Sequence, residues 1–288
     1  MSILFSGDFI SNHNQELRLI SKNAIIKSYG LDKYNAIKFH VMLGDTEFMW
    51  PGNQNRDKSN YEALACRPFP ILCVMGNRDP IYGVSGKRET DIGIGGTVYQ
   101  IQDKPFVAYL KRGKAYTIDG FKFLVLGGAL TVDKKKLPAL RNNQCFNVAW
   151  WEEEYWSEEE KTSLFRLLET DNAFDFVISH TGPYQLNHRL FGNYNPKFFR
   201  DEVAFLNDQI NGKIKFNKWL CSHWFRDEYY YDEEADKAYQ YLYHSTRIIE
   251  RIDNRTVTYR ENEPGLGENL LSGAGLPGNS AAEMHEQT

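Results

Sequence analysis

The feature that most constrains this chain is a set of five hydrophobic runs, each ending in a side chain that can bind a metal ion. Each run has the length and apolar character of a β-strand, and its last residues add a carboxylate, an amide or an imidazole. A strand can deliver such a group to the rim of a sheet. Five strands doing so predict a site for a divalent cation that accepts oxygen and nitrogen ligands. The runs are Ile3–Asp8, Phe39–Asp45, Ile71–Asn77, Phe176–His180 and Lys218–His223.

Bulk properties limit the class of protein. The 288 residues are 42% hydrophobic, which is enough apolar material for a sizeable core in one large domain or two small ones. A formal net charge of −4 gives no strong basic field and therefore no strong signal for nucleic-acid binding. The four cysteines form no Cys-x-x-Cys pair, which argues against a zinc ribbon or a disulfide framework. We see neither a secretory signal nor an apolar membrane span, and we expect a cytoplasmic protein with no membrane partner. The composition indicates no particular oligomeric state.

Strand and helix patterns alternate along the first part of the chain, as in a layered α/β fold. Strands are predicted near residues 2–6, 38–43 and 70–75, and an amphipathic helix is predicted near 15–28. Residues 81–97, which are rich in glycine and charge, are predicted to be a surface excursion.

The rest of the chain combines β-rich and helical patterns. Residues 98–130 have strand periodicity, and Asp119-Gly120 is a strong hairpin signal. A helix is predicted near 157–170. We place one domain at 1–261 and expect a disordered tail at 262–288, where Gly, Asn, Glu and Ser dominate. A closing antiparallel set of strands is predicted at 238–244, 246–252 and 255–260.

The ordered motifs at the strand ends are more specific together than any one of them alone. From residue 3 to about residue 228 the chain resembles the calcineurin-like metallophosphoesterases. The stretches Gly127–Lys134 and Trp150-Trp151-x-Glu153 resemble a bacterial and phage branch of that family. The resemblance implies a four-layer α-β-β-α sandwich of two mixed sheets flanked by helices. The motifs are Gly7-Asp8, Gly44-Asp45, Gly76-Asn77-x-Asp79, Ser179-His180 and Ser222-His223.

The resemblance also implies a set of metal ligands. Two ions in such a site hold the phosphate, activate a water and stabilise an in-line displacement. By resemblance, Asp45 would bridge both ions and Asp8 would serve the first. Asn77, His180 and His223 would serve the second.

Three departures from the family pattern change the expected site. Ile10 stands where the Asp-x-His motif has histidine, and Phe225 stands where the Gly-His-x-His motif ends in histidine. Both missing histidines would bind the first ion, so that site keeps only Asp8 and a share of Asp45. We expect Ile10 and Phe225 to fill the vacated pocket with apolar volume. Arg78 replaces the histidine of Gly-Asn-His; a guanidinium cannot give up a proton near neutral pH, but it can clamp a phosphate through two hydrogen bonds.

The sequence allows two alternative roles for each of three further side chains. His13 is the one candidate replacement ligand, although a solvated or helix-capping histidine is the favoured interpretation. Asp79 is a candidate catalytic residue that would orient Arg78, or it caps a turn. Asp133 follows a Gly-Gly-Ala stretch and would contact the substrate or a metal ligand, or it stabilises its own loop.

These patterns favour a metal-dependent phosphoesterase that hydrolyses phosphomonoesters or phosphodiesters with a metal-activated water. We expect one divalent ion rather than two, with Mn, Fe or Zn all compatible with the ligands, and possible partners are small phosphorylated substrates or nucleotides. Turnover would be reduced. The alternative is a catalytically impaired protein of the same fold that binds a nucleotide, a phosphate or a protein partner. A purely structural protein would have no reason to keep four ligands of one site.

Overall fold

The computed structural model describes residues 2–7, 20–46, 48, 62, 67–79, 87–104, 106–131, 152–192, 201–243, 245–251 and 259–262. Within these ranges the chain forms two mixed β-sheets and five α-helices. The helices are α1 (Lys22–Tyr29), α2 (Leu31–Ala36), α3 (Glu158–Thr170), α4 (Tyr184–Phe191) and α5 (Glu202–Asn211), with a 3-10 turn at Glu152–Glu154. The strands are β1 (Ser2–Ser6), β2 (Ile37–Met42), β3 (Ile71–Cys73), β4 (Arg88–Asp91), β5 (Thr97–Gln102), β6 (Val107–Leu110), β7 (Lys114–Ile118), β8 (Phe121–Leu126), β9 (Phe176–Ser179), β10 (Lys218–Cys221), β11 (Glu228–Asp232), β12 (Lys237–Tyr241), β13 (Thr246–Arg251) and β14 (Tyr259–Asn262).

The strand order separates a parallel centre from antiparallel edges in each sheet. The first sheet has the order β14-β13-β1-β2-β3-β6-β5-β4, and the second has the order β11-β12-β10-β9-β8-β7. Strands β1, β2, β3 and β6 run parallel to one another. In the second sheet β8, β9, β10 and β12 do the same. The carboxyl ends of each parallel group therefore open at one edge of their sheet, which is where open α/β sheets bind ligands.

The two sheets pack face to face through apolar side chains. The ring of Phe5 on β1 lies 6.1 Å from the ring of Phe123 on β8. Phe123 stacks in turn on Phe176 of β9 at 5.2 Å. All three rings are fully buried, so the space between the sheets is the main core.

Helices cover the outer faces of both sheets. Ile25 of α1 and Tyr34 of α2 join the apolar cluster on the outside of the first sheet. Leu164 of α3 and Val203 of α5 pack with Trp219 of β10 on the outside of the second sheet. The predicted four-layer α-β-β-α arrangement of two mixed sheets is confirmed.

Two local predictions are confirmed by backbone geometry. Asp119 and Gly120 form the two-residue turn of the β7–β8 hairpin, with φ values of 50° and 79°. Positive φ at both central residues matches the right-handed twist of the flanking strands. Helix α3 begins after Ser157, whose hydroxyl accepts from the backbone N–H of Glu160 while the Glu160 carboxylate accepts from the N–H of Ser157. This capping box satisfies donors that the first helical turn would otherwise leave unpaired.

Other boundaries differ from the sequence predictions. The predicted closing set is wrong as one unit, because β12 joins the second sheet whereas β13 and β14 pair in the first. The predicted excursion at 81–97 contains edge strand β4, whose residues are mostly exposed.

The predicted helix near 15–28 is observed as α1, and residues 11–19 lie outside the described part. Residues 263–288 also lie outside it, so the domain boundary and the disordered tail remain predictions. No helix in the described part is long and apolar enough to span a bilayer.

Candidate metal centre

The carboxyl ends of two adjacent strands in each sheet bring the predicted ligands to one place. Backbone hydrogen bonds continue past the strand ends, from Leu43 N to Ser6 O, from Val74 N to the Met42 carbonyl, and from Ser222 N to His180 O. These bonds hold the residues after β2, β3, β9 and β10 in register. The geometry of the strand-end residues is therefore set by the sheets.

Three polar side chains converge on the Nε2 atom of His180. This nitrogen lies 3.3 Å from Asp45 Oδ2, 3.2 Å from Asn77 Oδ1 and 3.2 Å from His223 Nδ1. One ligand atom from each of Asp45, His180 and His223 lies within 4.8 Å of the others. Asp45 and His180 are fully buried, and Asn77 is 8% exposed. The rings of His180 and His223 meet edge to face at 4.9 Å.

The hydrogen bond on the other side of the His180 ring determines its tautomer. Nδ1 lies 2.8 Å from the carbonyl oxygen of Leu43, which can only accept, so Nδ1 carries the proton. In the neutral ring Nε2 then presents a lone pair toward two oxygens that are also acceptors. A second proton on Nε2 would serve one of these acceptors at a time, whereas a cation at their centre would satisfy all of them. A backbone carbonyl orienting a histidine through Nδ1 is a common arrangement at metal sites.

One oxygen of Asp45 is hydrogen-bonded to the backbone, and the other faces the site, 3.3 Å from His180 Nε2. Its Oδ1 accepts from the backbone N–H of Arg78 at 2.7 Å. Its Oδ2 is buried and has no hydrogen-bond partner within the described part of the chain. Burial raises the pKa of Asp45, but His180, Arg78 and His223 outweigh it, and the pKa is lowered overall. A carboxylate with a lowered pKa and a buried oxygen that accepts no hydrogen bond fits a cation ligand.

His223 is half-buried and stays neutral at ordinary pH. Burial lowers its pKa to about 3, with His180 adding to that effect and Asp45 opposing it. A metal ligand must be in the neutral form, so this environment suits binding of a cation.

Two glycines make the close approach possible. A Cβ added to Gly44 would lie less than 3.0 Å from His180 Nδ1, and one added to Gly76 would lie less than 3.0 Å from Asp45 Oδ1. Gly44 also has a φ of 96°, which other residues rarely adopt. The glycine in each motif is therefore required by the packing of the ligand beside it.

Two of the converging residues have unusual backbone conformations. Asp45 has a φ of 49° and His223 a φ of 73°. Each such conformation in a non-glycine residue carries a strain of about 1–2 kcal/mol. Strain of this kind is concentrated at functional sites, where it aims a side chain that regular structure would point elsewhere.

Asp79 lies beneath the site with both oxygens engaged. Its Oδ2 accepts from the backbone N–H of Gly76 at 2.9 Å, which closes the turn that presents Asn77. Its Oδ1 accepts from Thr46 at 2.9 Å and from Tyr109 at 3.0 Å. Burial, and then the charge of Asp45, raise the pKa of Asp79 to about 6. These contacts give Asp79 a role in holding the turn.

Sequence reasoning missed two residues next to Asn77. Thr131 accepts a hydrogen bond from the Asn77 amide, and Glu154 accepts two from Thr131. Thr131 lies in the glycine-rich stretch that supported the family resemblance. No sequence signal separates Glu154 from its acidic neighbours, because its burial arises only when the 3-10 turn docks on the loop.

The structure thus brings together Asp45, Asn77, His180 and His223, with Arg78 beside them. The predicted ligand Asp8 and the predicted catalytic residue Asp133 lie outside the described residues, as do Ile10 and His13. The expectation that Phe225 fills a vacated pocket is wrong. Phe225 has a φ of 52°, is 45% exposed and packs edge to face on Tyr243 at 5.4 Å, so much of its ring faces solvent instead of filling a pocket.

No protein-family model and no curated protein matches this chain. Solved structures do match it. One crystal structure has a TM-score of 0.50 and 10% identity, covering 91% of this chain and 98% of that chain. A phosphopantetheinyl hydrolase from Mycobacterium tuberculosis has a TM-score of 0.43 and 12% identity, covering 84% of this chain and 90% of the hydrolase. A dimetal phosphatase from Danio rerio has a TM-score of 0.45 and 12% identity, covering 92% of this chain and 99% of the phosphatase. At these identities the similarity concerns the fold alone.

Proposed function

We propose that this chain is a metal-dependent phosphoesterase of the calcineurin-like metallophosphoesterase family, acting in the cytoplasm on a small phosphomonoester or phosphodiester. The observation that carries the proposal is the convergence of four possible ligand atoms, from Asp45, Asn77, His180 and His223, on one point. Nothing in the packing of a core requires two imidazoles, an amide oxygen and a carboxylate to face one another. A divalent cation removes their mutual repulsion.

The order of the motifs supports the family assignment. The ligands follow five successive strand-end segments in the order expected from the resemblance, including the bacterial and phage type of glycine-rich stretch at 127–134. The fold of two mixed sheets between helices supports it as well, because the parallel strands of each sheet end at one edge of that sheet. Asp8, which follows β1 by two residues in the sequence, is proposed to complete the ligand set.

The side chains would divide the chemical work. Asp45 and Asn77 would hold the cation with one anionic and one neutral oxygen, and His180 and His223 would supply neutral nitrogens. When bound, the cation would supply Lewis acidity and activate a water for attack on phosphorus.

Arg78 would provide the second positive charge of the site. Its backbone fixes Asp45, and its guanidinium lies close enough to lower the pKa of that carboxylate. A guanidinium at this position would clamp two phosphoryl oxygens and stabilise charge in the transition state. Because it stays protonated, Arg78 cannot protonate a leaving group. Substrates with good leaving groups should therefore react best.

The site is proposed to hold one ion. Ile10 and Phe225 stand where the family places two histidine ligands, so the first ion would keep only Asp8 and a share of Asp45. With two nitrogens and two oxygens from the remaining set, Mn, Fe and Zn are all suitable.

The test combines elemental analysis with an activity assay. The protein should carry close to one equivalent of Mn, Fe or Zn, and should hydrolyse bis(p-nitrophenyl) phosphate with added Mn²⁺. His223→Gln should lose both the ion and the activity, whereas His188→Gln, a change at an exposed histidine on α4, should lose neither. Two tightly bound ions would overturn the mononuclear site. An ion bound without turnover would favour a phosphate-binding or nucleotide-binding protein, and no ion at all would refute the metal centre.

A further inference from the structure

A chain of hydrogen bonds leads from the metal centre to a buried carboxylate. The Nδ2 of Asn77 donates to Thr131 Oγ1 at 3.2 Å, and Thr131 Oγ1 donates to Glu154 Oε1 at 2.7 Å. The backbone N–H of Thr131 donates to the other oxygen, Glu154 Oε2, at 2.7 Å. Glu154 is only 4% exposed, although it sits in a 3-10 turn whose neighbour Glu153 is exposed.

The direction of each bond follows from the carboxylate. The Thr131 hydroxyl donates to Glu154 Oε1, so its single proton points to Glu154. Toward Asn77, Thr131 Oγ1 can then only accept a hydrogen bond. The Asn77 amide must therefore turn its NH₂ toward Thr131 and its oxygen toward His180 Nε2, 3.2 Å away.

We propose that Thr131 and Glu154 are positioning residues that fix the amide of Asn77 with its oxygen facing the cation; this inference rests on the proposed metal centre. The two ends of an asparagine amide have nearly the same shape, so packing does not distinguish them. Only the hydrogen bonds do. A reversed amide would aim two N–H donors at the cation and remove one of its ligands.

The segment that carries Glu154 is clamped to the loop that carries Thr131. The indole Nε1 of Trp156 donates to the carbonyl of Gly127 at 3.2 Å, and Arg112 donates to the backbone carbonyl of Glu154 at 3.3 Å. A carboxylate is buried at a large energetic cost unless it is hydrogen-bonded. The two bonds to Thr131 offset that cost, so the burial of Glu154 has its explanation in this contact.

The experiment measures the affinity for Mn²⁺ alone by isothermal titration calorimetry, together with the free energy of unfolding of the metal-free protein in urea. Thr131→Val keeps the shape and removes the hydroxyl, and should weaken Mn²⁺ binding by about 10–100-fold. Thr131→Ser keeps the hydroxyl, so its Mn²⁺ affinity should stay within about threefold of that of the original protein. That change is much smaller than the loss expected for Thr131→Val.

Glu154→Gln tests the direction of the chain without changing its volume. The single oxygen of glutamine must face the Thr131 N–H, which leaves its NH₂ facing Thr131 Oγ1. The hydroxyl proton is then released toward Asn77 and favours the reversed amide. This variant should also lose Mn²⁺ affinity by about 10–100-fold, whereas Glu153→Gln, at the exposed neighbour, should not.

The outcomes separate this inference from the proposed function. If the original protein binds Mn²⁺ and His223→Gln abolishes binding, but Thr131→Val and Glu154→Gln bind normally, the positioning role is refuted and the metal centre stands. Equal losses in Thr131→Val and Thr131→Ser would assign the effect to loop packing, which also refutes the role. If the original protein binds no Mn²⁺, the metal centre and the positioning role both fail.

Discussion

Substitution of Gly44 by alanine tests whether close packing against His180 builds the site. Gly44 precedes Asp45 and has a φ of 96°. A Cβ at this position would come within 3.0 Å of the ring nitrogen that donates to Leu43. The ring must therefore move, and its hydrogen bond must break. Gly30→Ala is a matched control, because Gly30 has a similar φ of 89° but nothing lies within 4 Å of its added Cβ.

The magnitude follows from the difference between the two variants. Both carry the backbone strain of a positive φ, about 1–3 kcal/mol. Gly44→Ala alone adds an overpacked core contact, about 1–3 kcal/mol, and a broken buried hydrogen bond, about 1–3 kcal/mol. We therefore expect Gly44→Ala to lower the free energy of unfolding by about 2–6 kcal/mol more than Gly30→Ala does. Loss of the hydrogen bond that orients His180 should also weaken metal affinity by about 10–100-fold.

The assay is urea denaturation of the metal-free proteins, followed by Mn²⁺ titration of the folded variants. Gly30→Ala should bind Mn²⁺ as the original protein does, because Gly30 is exposed between α1 and α2, outside the cluster. If the two variants lose similar stability and both keep their metal affinity, the contact between Gly44 and His180 does not build the site, and the reasoning is wrong.

Two further predictions concern stability. Ser157→Ala removes the cap of α3 and should lower the free energy of unfolding by about 1 kcal/mol in urea, whereas Ser163→Ala within the same helix should not; equal effects would count against the cap. Burial raises the pKa of Asp201, which caps α5, from 3.8 to about 6, so the folded state holds this proton more tightly than the unfolded state between those values. The contribution of Asp201 to stability therefore falls as pH rises through that window. The free energy of unfolding of the original protein relative to Asp201→Asn should drop by up to about 3 kcal/mol from about pH 4 to pH 7 in urea titrations, and a pH-independent difference would contradict the raised pKa.

Local structure was predictable where neighbouring residues supply the hydrogen bonds or the turn. Asp119-Gly120 encodes its hairpin because both positions tolerate a positive φ, whatever the strands pack against. Ser157 and Glu160 encode the start of α3 because each caps the other's backbone. The strand-end motifs were also predictable from neighbouring residues, since each consists of an apolar run followed by one polar residue.

Sheet membership was not predictable in the same way. Residues 237–241 and 246–251 have similar strand patterns, yet they belong to different sheets. The first of them pairs with β10, which is near it in sequence, whereas the second pairs with β1 at the other end of the chain, and an alternating pattern fits either neighbour equally well. The exposed position of Phe225 was missed as well, because the exposure of an apolar residue after a strand depends on the surrounding fold.

The sequence alone determined which residue types stand at the ends of the strands, because a hydrophobic run and the polar residue after it are neighbours in the chain. Only the tertiary structure decided that Asp45, Asn77, His180 and His223 face one point, and that Thr131 and Glu154 set the direction of one amide. These contacts join strands and loops that are distant in sequence. Their geometry depends on sheet register, on close approach at glycine and on burial, none of which one segment specifies by itself.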